Sequence, residues 1–231
     1  ITRYSISKLT RDGIRDNSFG TDGTVLSGFG GLIATRAKFD NAGNILIAGS
    51  SLASGVDRDF AVCRYNQQGQ PVIFSALLSP CAITPIDFAG GNLTDIANDV
   101  IVNPNGTIVL AGVAGISATR SRAATVRLLS TGLRDQNFGS DGKNTYEPRA
   151  GFINQFNAIA RRTDGKYIAV GEFGDASSAQ GIDSLFARLT TVGNFDPSYA
   201  NGDGHSNIRQ EFGPFFTRYD AATRIEILGN G

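Results

Sequence analysis

One segment of about sixty residues recurs along this chain of 231 residues. An apolar run closed by glycine occurs three times, ending at Gly49, Gly112 and Gly171. A strand-like stretch occurs four times and carries a basic residue near its end: Lys8, Arg64, Arg127 and Arg188. Because both landmarks keep the same period, the chain is an array of similar units, and any fold assigned to it has to be built from that repeat.

Turn signals keep the same period. The turn at residues 16–23 returns at 135–142 and, in a looser form, at 196–204, whereas the second copy lacks it. A two-residue turn precedes the apolar run in each copy: Ala42-Gly43, Asn105-Gly106, Asp164-Gly165 and Asn230-Gly231. Asn-Gly and Asp-Gly favour positive φ angles at both central positions, which a tight β-hairpin requires.

Each unit contains four strand candidates and no sustained helical period. In the first unit these are residues 4–9, 24–29, 33–39 and 44–50. The last strand is apolar at successive positions, as in a strand covered on both faces. Because a lone four-stranded unit cannot bury both faces, neighbouring units must stack on it.

The sequence therefore predicts an all-β fold, a β-propeller built of about four four-stranded blades. It forms a single repeat domain over residues 1–231, with units at approximately 1–50, 51–113, 114–172 and 173–231. A non-repeating, glycine-rich sandwich is the alternative.

The final residues bear on how the array is completed. Residues 224–228 followed by Asn230-Gly231 look like a third strand and its hairpin turn, after which a fourth strand would come. We expect either a fragment of a larger propeller or a strand supplied by another segment, and a chain without methionine fits a processed or partial protein. The alternative takes residues 225–229 as the fourth strand, and four blades then close as a small ring.

These motifs resemble the delta-60 repeat family of bacterial exported and surface proteins. The matching features are the Arg-Leu or Arg-Tyr end of the first strand, the Asp-x-x-Phe-Gly-x-Asp-Gly turn, the corners at residues 29–31 and 88–90, the Asn/Asp-Gly hairpin and the apolar-Ala-Gly strand. The resemblance covers nearly the whole chain. It implies a propeller-like fold, a bacterial origin and a secreted, periplasmic or cell-surface location, but no shared catalytic or ligand motif.

Charge and hydropathy exclude two classes of partner. Lys+Arg and Asp+Glu both number 21, so the net charge is zero, whereas a nucleic-acid-binding domain carries a basic excess. The sequence contains no long apolar run that would span a membrane.

Cys63 and Cys81 are the only cysteines. The strands that carry them are expected to be hairpin neighbours, so a disulfide is geometrically feasible. It would close a loop of about eighteen residues and stabilise the fold by roughly 3 kcal/mol in the chain-entropy model. The alternative is a pair of unlinked small apolar residues.

The aspartate turns offer oxygens at short spacing, and calcium takes 6–8 oxygen ligands. Asp16, Asp22, Asp135 and Asp141 are therefore weak calcium candidates, although Asp and Asn also form ordinary turns. No other cofactor is predicted.

Two further groups have mainly structural interpretations. The basic column either binds anions or pairs with turn carboxylates such as Asp16 and Asp135. The single histidine, His205, has no Gly-x-Ser-x-Gly elbow to serve and is expected to flank a turn.

No catalytic constellation is present, so we expect a non-catalytic binding or scaffolding module that mediates protein–protein assembly, with further repeats of the same array as one class of partner. Exposed aromatic loop residues are the expected contacts: Tyr146, Phe212, Phe215 and Phe216. A carbohydrate-binding, lectin-like propeller is the first alternative. A hydrolase that uses carboxylates is the second, and its glutamates would come from the only four present: Glu147, Glu172, Glu211 and Glu226.

Overall fold

The computed structural model of the chain describes residues 3–28, 32–54, 57–82, 93–148, 150–175, 181–208 and 219–228. Apart from one short 3-10 turn at Ala200–Gly202, the regular elements in these ranges are β-strands. In chain order they are β1 (Ser5–Ser7), β2 (Thr24–Leu26), β3 (Ile33–Phe39), β4 (Ile45–Ser54), β5 (Asp57–Tyr65), β6 (Cys81–Ala82), β7 (Ile96–Val102), β8 (Ile108–Ser117), β9 (Arg120–Leu128), β10 (Lys143–Tyr146), β11 (Ile153–Arg161), β12 (Tyr167–Asp175), β13 (Gly181–Leu189) and β14 (His205–Ile208).

The strands form antiparallel sheets in which chain neighbours pair. Three sheets have four strands each, in the orders β3-β4-β5-β6, β7-β8-β9-β10 and β11-β12-β13-β14, and a fourth consists of β1 and β2. The predicted all-β fold with four-stranded blades is confirmed. Within the described ranges, no helix has the length and apolar character needed to cross a membrane.

The sheets are offset from the sequence units. Each four-stranded sheet combines the third and fourth strands of one unit with the first and second strands of the next. In the sheet β3–β6, for example, β3 and β4 belong to the first unit, and β5 and β6 belong to the second. Consecutive units are therefore joined by backbone hydrogen bonds within a sheet as well as by packing between sheets.

Three hydrophobic clusters lie between successive sheets. One cluster joins Leu46 and Phe60 of sheet β3–β6 to Leu110 of sheet β7–β10. The next joins Val109, on the opposite face of β8, to Phe156 of sheet β11–β14. Because Val109 and Leu110 are both fully buried on opposite faces, the fourth strand of the unit is covered on both sides, as its continuous apolar sequence predicts.

A β-bulge recurs in the first strand of each four-stranded sheet. The pairing shifts at Thr35 in β3, Asn98 in β7 and Asn157 in β11. The side chain of each bulged residue donates a hydrogen bond to a carbonyl oxygen of the following sheet or segment: Thr35 to Ala97, Asn98 to Phe156, and Asn157 to Ala222. The bulge therefore links each blade to the next one.

The bulge also explains the glycine that closes each apolar run. A Cβ on Gly49, Gly112 or Gly171 would overlap a backbone carbonyl of the adjacent bulged strand. Glycine is the residue that permits such a close approach of two backbones.

The same hydrogen bond places the last described segment. Ala222 accepts from Asn157 as Phe156 accepts from Asn98, so Ala222 is equivalent to the residue before a bulge. In addition, the Asp220 amide donates to the Ile182 carbonyl, as the Asp95 amide donates to Arg58 in the preceding sheets. The residues after Ala222 therefore take the position of a third strand of the repeat.

An aromatic ring of one unit occupies a space that a turn glycine of the next unit leaves open. The rings are those of Phe19, Phe74 and Phe138, and all three are fully buried. Their glycine partners carry positive φ angles and would overlap or crowd the ring if they had a Cβ: Gly69, Gly132 and Gly193, respectively. The pairing couples the ring, which belongs to a Phe-Gly turn in the first and third units, to the hairpin of the next unit.

We predict that Gly193→Ala destabilises the fold by about 2–4 kcal/mol, because it combines overpacking against Phe138 with a left-handed backbone. Gly13→Ala is the matched control, since Gly13 has the same turn position and a φ of 79° but has nothing within contact distance of a new Cβ. The control should cost only about 1 kcal/mol in chemical denaturation. Equal losses in the two variants would contradict the packing role of the ring.

Candidate functional site

The basic column lies against the aspartate turns. Arg127 donates through Nε to Asp135 at 2.8 Å, and its guanidinium lies 4.7 Å from the centre of the Phe138 ring. Arg188 repeats the arrangement with Asp196 at 2.6 Å, over Tyr199. In the first unit, Lys8 contacts Asp16 at 2.8 Å. These residues join the first strand to the turn that follows it, so the column has a structural role in these units.

The carboxylates of Asp16 and Asp196 are held in the charged form. The hydrogen bond from Lys8 lowers the pKa of Asp16 to about 2, and Ser18 contributes in the same direction. The pKa of Asp196 lies well below its ordinary value, first because Lys166 donates to it at 2.8 Å and then because Ser198 and Arg188 also donate. Each aspartate also accepts from a backbone amide two residues on, which fixes the turn.

Arg64 is the exception in the column. Its unit lacks the aspartate turn, and Val72 stands where Asp135 and Asp196 stand in the other units. The Val72 amide donates to the Arg64 carbonyl at 2.9 Å, the same contact that Asp135 makes with Arg127, so the backbone geometry is retained. The Nε of Arg64 is buried without a hydrogen-bond partner, and burial lowers the pKa of this guanidinium.

We predict that Val72→Asp stabilises the chain by about 1 kcal/mol, because a charge-assisted hydrogen bond to Arg64 outweighs the loss of a half-buried valine. The measurement is the midpoint of chemical denaturation. Val72→Asn is the control, because it has nearly the same shape without the charge and should gain less. A Val72→Asp variant no more stable than the parent chain would show that Arg64 does not need a carboxylate.

The four calcium candidates lie in two separate turns. Asp16 and Asp135 face the basic column, Asp141 pairs with Arg134, and Asp22 is exposed at a positive φ of 50°. Over the ranges that the structure describes, no three Asp, Glu, His or Cys side chains come together as a metal site. Calcium binding at these turns stays a prediction.

Cys63 and Cys81 form a disulfide bond. They are register partners in the antiparallel pair β5–β6, as the hairpin argument predicts. The bridge therefore fastens the short strand β6 to the sheet in the one unit that lacks the aspartate turn.

The expectation that Tyr146 is an exposed contact residue is wrong. Tyr146 ends strand β10 and is 3% exposed, and its ring packs against Phe156 and Phe195. Its hydroxyl bonds to Thr125 at 2.8 Å and to the Gly193 carbonyl. Tyr146 is thus part of the contact between two sheets. The other aromatic candidates lie outside the described residues: Phe212, Phe215 and Phe216.

The glutamates and the histidine do not form a common site in the described residues. Glu172 is buried, and its two oxygens accept from Gln155 at 2.7 Å and from the hydroxyl of Tyr219 at 2.8 Å. Glu147 binds Arg122 at 3.0 Å. His205 stacks on a neighbouring ring and contacts the Asp203 carbonyl, as expected for a residue beside a turn. Glu226 is exposed, and Glu211 lies outside the described ranges.

A groove lies beside β1 that the sequence analysis did not identify. It has a volume of about 640 Å³ and lies between the free edge of β1 and the strands β3 and β4. We call it the β1 groove; its lining includes Ile6, Lys8, Phe19, Phe39, Ile45 and Gln67. The signal in the sequence was the expectation that a fourth strand would follow residues 224–228 and Asn230-Gly231.

A comparison with protein families supports the fold. A protein-family model described as "Domain of unknown function (DUF5122) beta-propeller" matches residues 103–138 and 162–199. The crystal structure of an endo-arabinase from Bacteroides thetaiotaomicron is similar, with a TM-score of 0.44 and 13% sequence identity, over 72% of this chain and 61% of that chain. That similarity is too low to bear on activity.

No curated protein matches the chain. The stacked four-stranded sheets and the family match identify the fold of this chain as a β-propeller built of repeated units.

Proposed function

We propose that the chain is a non-catalytic binding and scaffolding module that mediates protein–protein assembly. The observation that carries this proposal is the β1 groove, where a strand edge and an apolar surface lie open side by side. An exposed sheet edge presents unpaired backbone donors and acceptors to another chain. Phe39, at the rim of the groove, is 72% exposed and extends the apolar lining of the groove to the surface.

The repeated charged residues support a scaffolding role, because they are paired with one another and not with an open site. Arg127, Arg188 and Lys8 are bound to turn carboxylates of their own units. Glu172 is bound by two neutral donors. A glycosidase would instead need two carboxyl groups that face each other across a substrate.

We also propose that the chain is a delta-60 repeat protein that acts outside the cytoplasm, secreted, in the periplasm or at the cell surface. The Asp-x-x-Phe-Gly turns, the apolar-Ala-Gly strands and the Asn/Asp-Gly hairpins support the family. The disulfide between Cys63 and Cys81 supports the location, because disulfides persist in oxidising compartments.

The test combines sedimentation velocity of the purified chain with a glycan array and a panel of glycoside substrates. We expect protein association, either with a second copy or with a stoichiometric protein partner, and neither glycan binding nor turnover. Phe39→Glu places a charge at the rim of the β1 groove and should abolish association. Leu78→Glu, at a side chain that is 85% exposed and not part of the groove, should leave it unchanged.

Three results would contradict the proposal. One is a chain that sediments as a monomer at all concentrations and binds no protein. Another is association that Phe39→Glu leaves intact. The third is a specific glycan signal or turnover, which would favour the lectin or the hydrolase instead.

A further inference from the structure

Strand β1 has a neighbour on one side only, unlike its equivalents in the other units. The equivalent strands β5, β9 and β13 each lie between two partners, and the inner partners are β4, β8 and β12. Within the described residues, β1 pairs with β2 alone. In three sheets of this chain, the equivalent edge is therefore covered by the fourth strand of the preceding unit.

The free edge of β1 has its hydrogen-bonding groups in place. The Lys8 amide donates to the Gly23 carbonyl, and the Tyr4 carbonyl accepts from Ser27, so these residues direct their backbone groups toward β2 and its flanking residues. Because backbone groups alternate along a strand, the N–H and C=O groups of Ser5 and Ser7 point the opposite way, into the β1 groove.

Side-chain exposure shows how much surface a neighbouring strand would bury beside β1. Leu9 is 56% exposed, whereas the equivalent residues of the other units, Tyr65, Leu128 and Leu189, are 2%, 1% and 0% exposed. The equivalents are covered by the first residue of the apolar run, since Tyr65 pairs with Ile45 and Leu128 with Ile108.

We propose that the β1 groove binds, by strand addition, an antiparallel β-strand from another repeat unit of this type. This inference rests on the proposed assembly function and specifies the partner. The partner strand carries four apolar residues followed by glycine, as in residues 45–49, 108–112 and 167–171. Main-chain hydrogen bonds supply affinity in this mode of binding, and the pockets for alternate side chains supply specificity.

The repeat also fixes the register. In all three complete sheets, the basic residue of the column lies opposite the second residue of the apolar run: Arg64 opposite Leu46, Arg127 opposite Val109, and Arg188 opposite Ile168. The bound strand therefore has its first residue opposite Leu9, its third opposite Ser7 and its glycine opposite Ser5.

The chemistry of the groove agrees with an apolar strand. Phe39 and Ile45 line it, and the ammonium of Lys8 already binds Asp16 at 2.8 Å. Ser5 and Ser7 are small and exposed, at positions where the other units bury residues such as Ala61 and Cys63. A partner strand thus meets little steric obstruction along β1.

The experiment uses the chain of 231 residues and a fluorescent synthetic peptide with the sequence of residues 165–175, which includes strand β12 and carries Lys166, Glu172 and Asp175 for solubility. Anisotropy measures binding, and hydrogen exchange reports the contact. We expect the amides of Ser5 and Ser7 to become protected when the peptide binds. The Lys8 amide, already bonded to Gly23, should not change.

Variants of Ser7 separate strand addition from nonspecific adhesion. Ser7→Pro removes the amide that faces the groove but none of the backbone hydrogen bonds between β1 and β2, and should weaken binding by about tenfold or more. Ser7→Thr keeps the amide and the hydroxyl that contacts Thr24, and should bind as the parent chain does. A peptide with Ala169→Pro should not bind.

The inference is overturned if the peptide does not bind, if Ser7→Pro binds it as tightly as Ser7→Thr, or if Ser5 and Ser7 gain no protection. Any of these results, together with association that Phe39→Glu abolishes, would leave the assembly function standing with a different kind of partner. Absence of association in the sedimentation experiment would remove the assembly function itself.

Discussion

The contact between an aromatic ring of one unit and a turn glycine of the next makes the units of this propeller dependent on one another. Phe19, Phe74 and Phe138 are each fully buried against the turn that follows in the next unit. The backbone supports the contact, because the Gly139 amide donates to the Val192 carbonyl and the Gly20 amide donates to Gln68. The ring of each unit packs on the glycine turn of the next unit and not on that of its own. A unit therefore buries its ring only when another unit follows it in the array.

Because the units depend on one another, the recurring residues have structural roles, and a functional surface is expected where the repeat differs. The residues that recur with the period are used in contacts within or between blades: the basic column, the aspartate turns, the bulged residues and the closing glycines. The β1 groove is an open surface beside a strand that, among the described residues, has no inner neighbour. In a stacked array an interrupted blade exposes both an apolar face and a strand edge, which is the combination that favours association.

Much of the fold was predictable from the sequence because a fixed period restricts the possible architectures. The period, the hairpin glycines and the continuous apolar strands predicted stacked four-stranded sheets, and the neighbouring strands predicted the bridge between Cys63 and Cys81. The offset between units and sheets was missed, because strand pairing across a unit boundary leaves no mark in the pattern. Tyr146 was misassigned because Tyr-Glu-Pro resembles a loop, whereas the structure continues β10 to that residue and buries its ring. The unpartnered Nε of Arg64 could have been inferred, since Val72 replaces an aspartate at a position that the repeat defines.

Native-state hydrogen exchange of the Gly139 amide tests the central claim most directly, because this amide bonds only to the next unit at Val192. If the units are stabilised by one another, the amide exchanges through global unfolding and its protection equals that of the central strands β8 and β12. Rapid exchange at Gly139, while β8 and β12 remain protected, would show that the blades are stable on their own and would contradict the account.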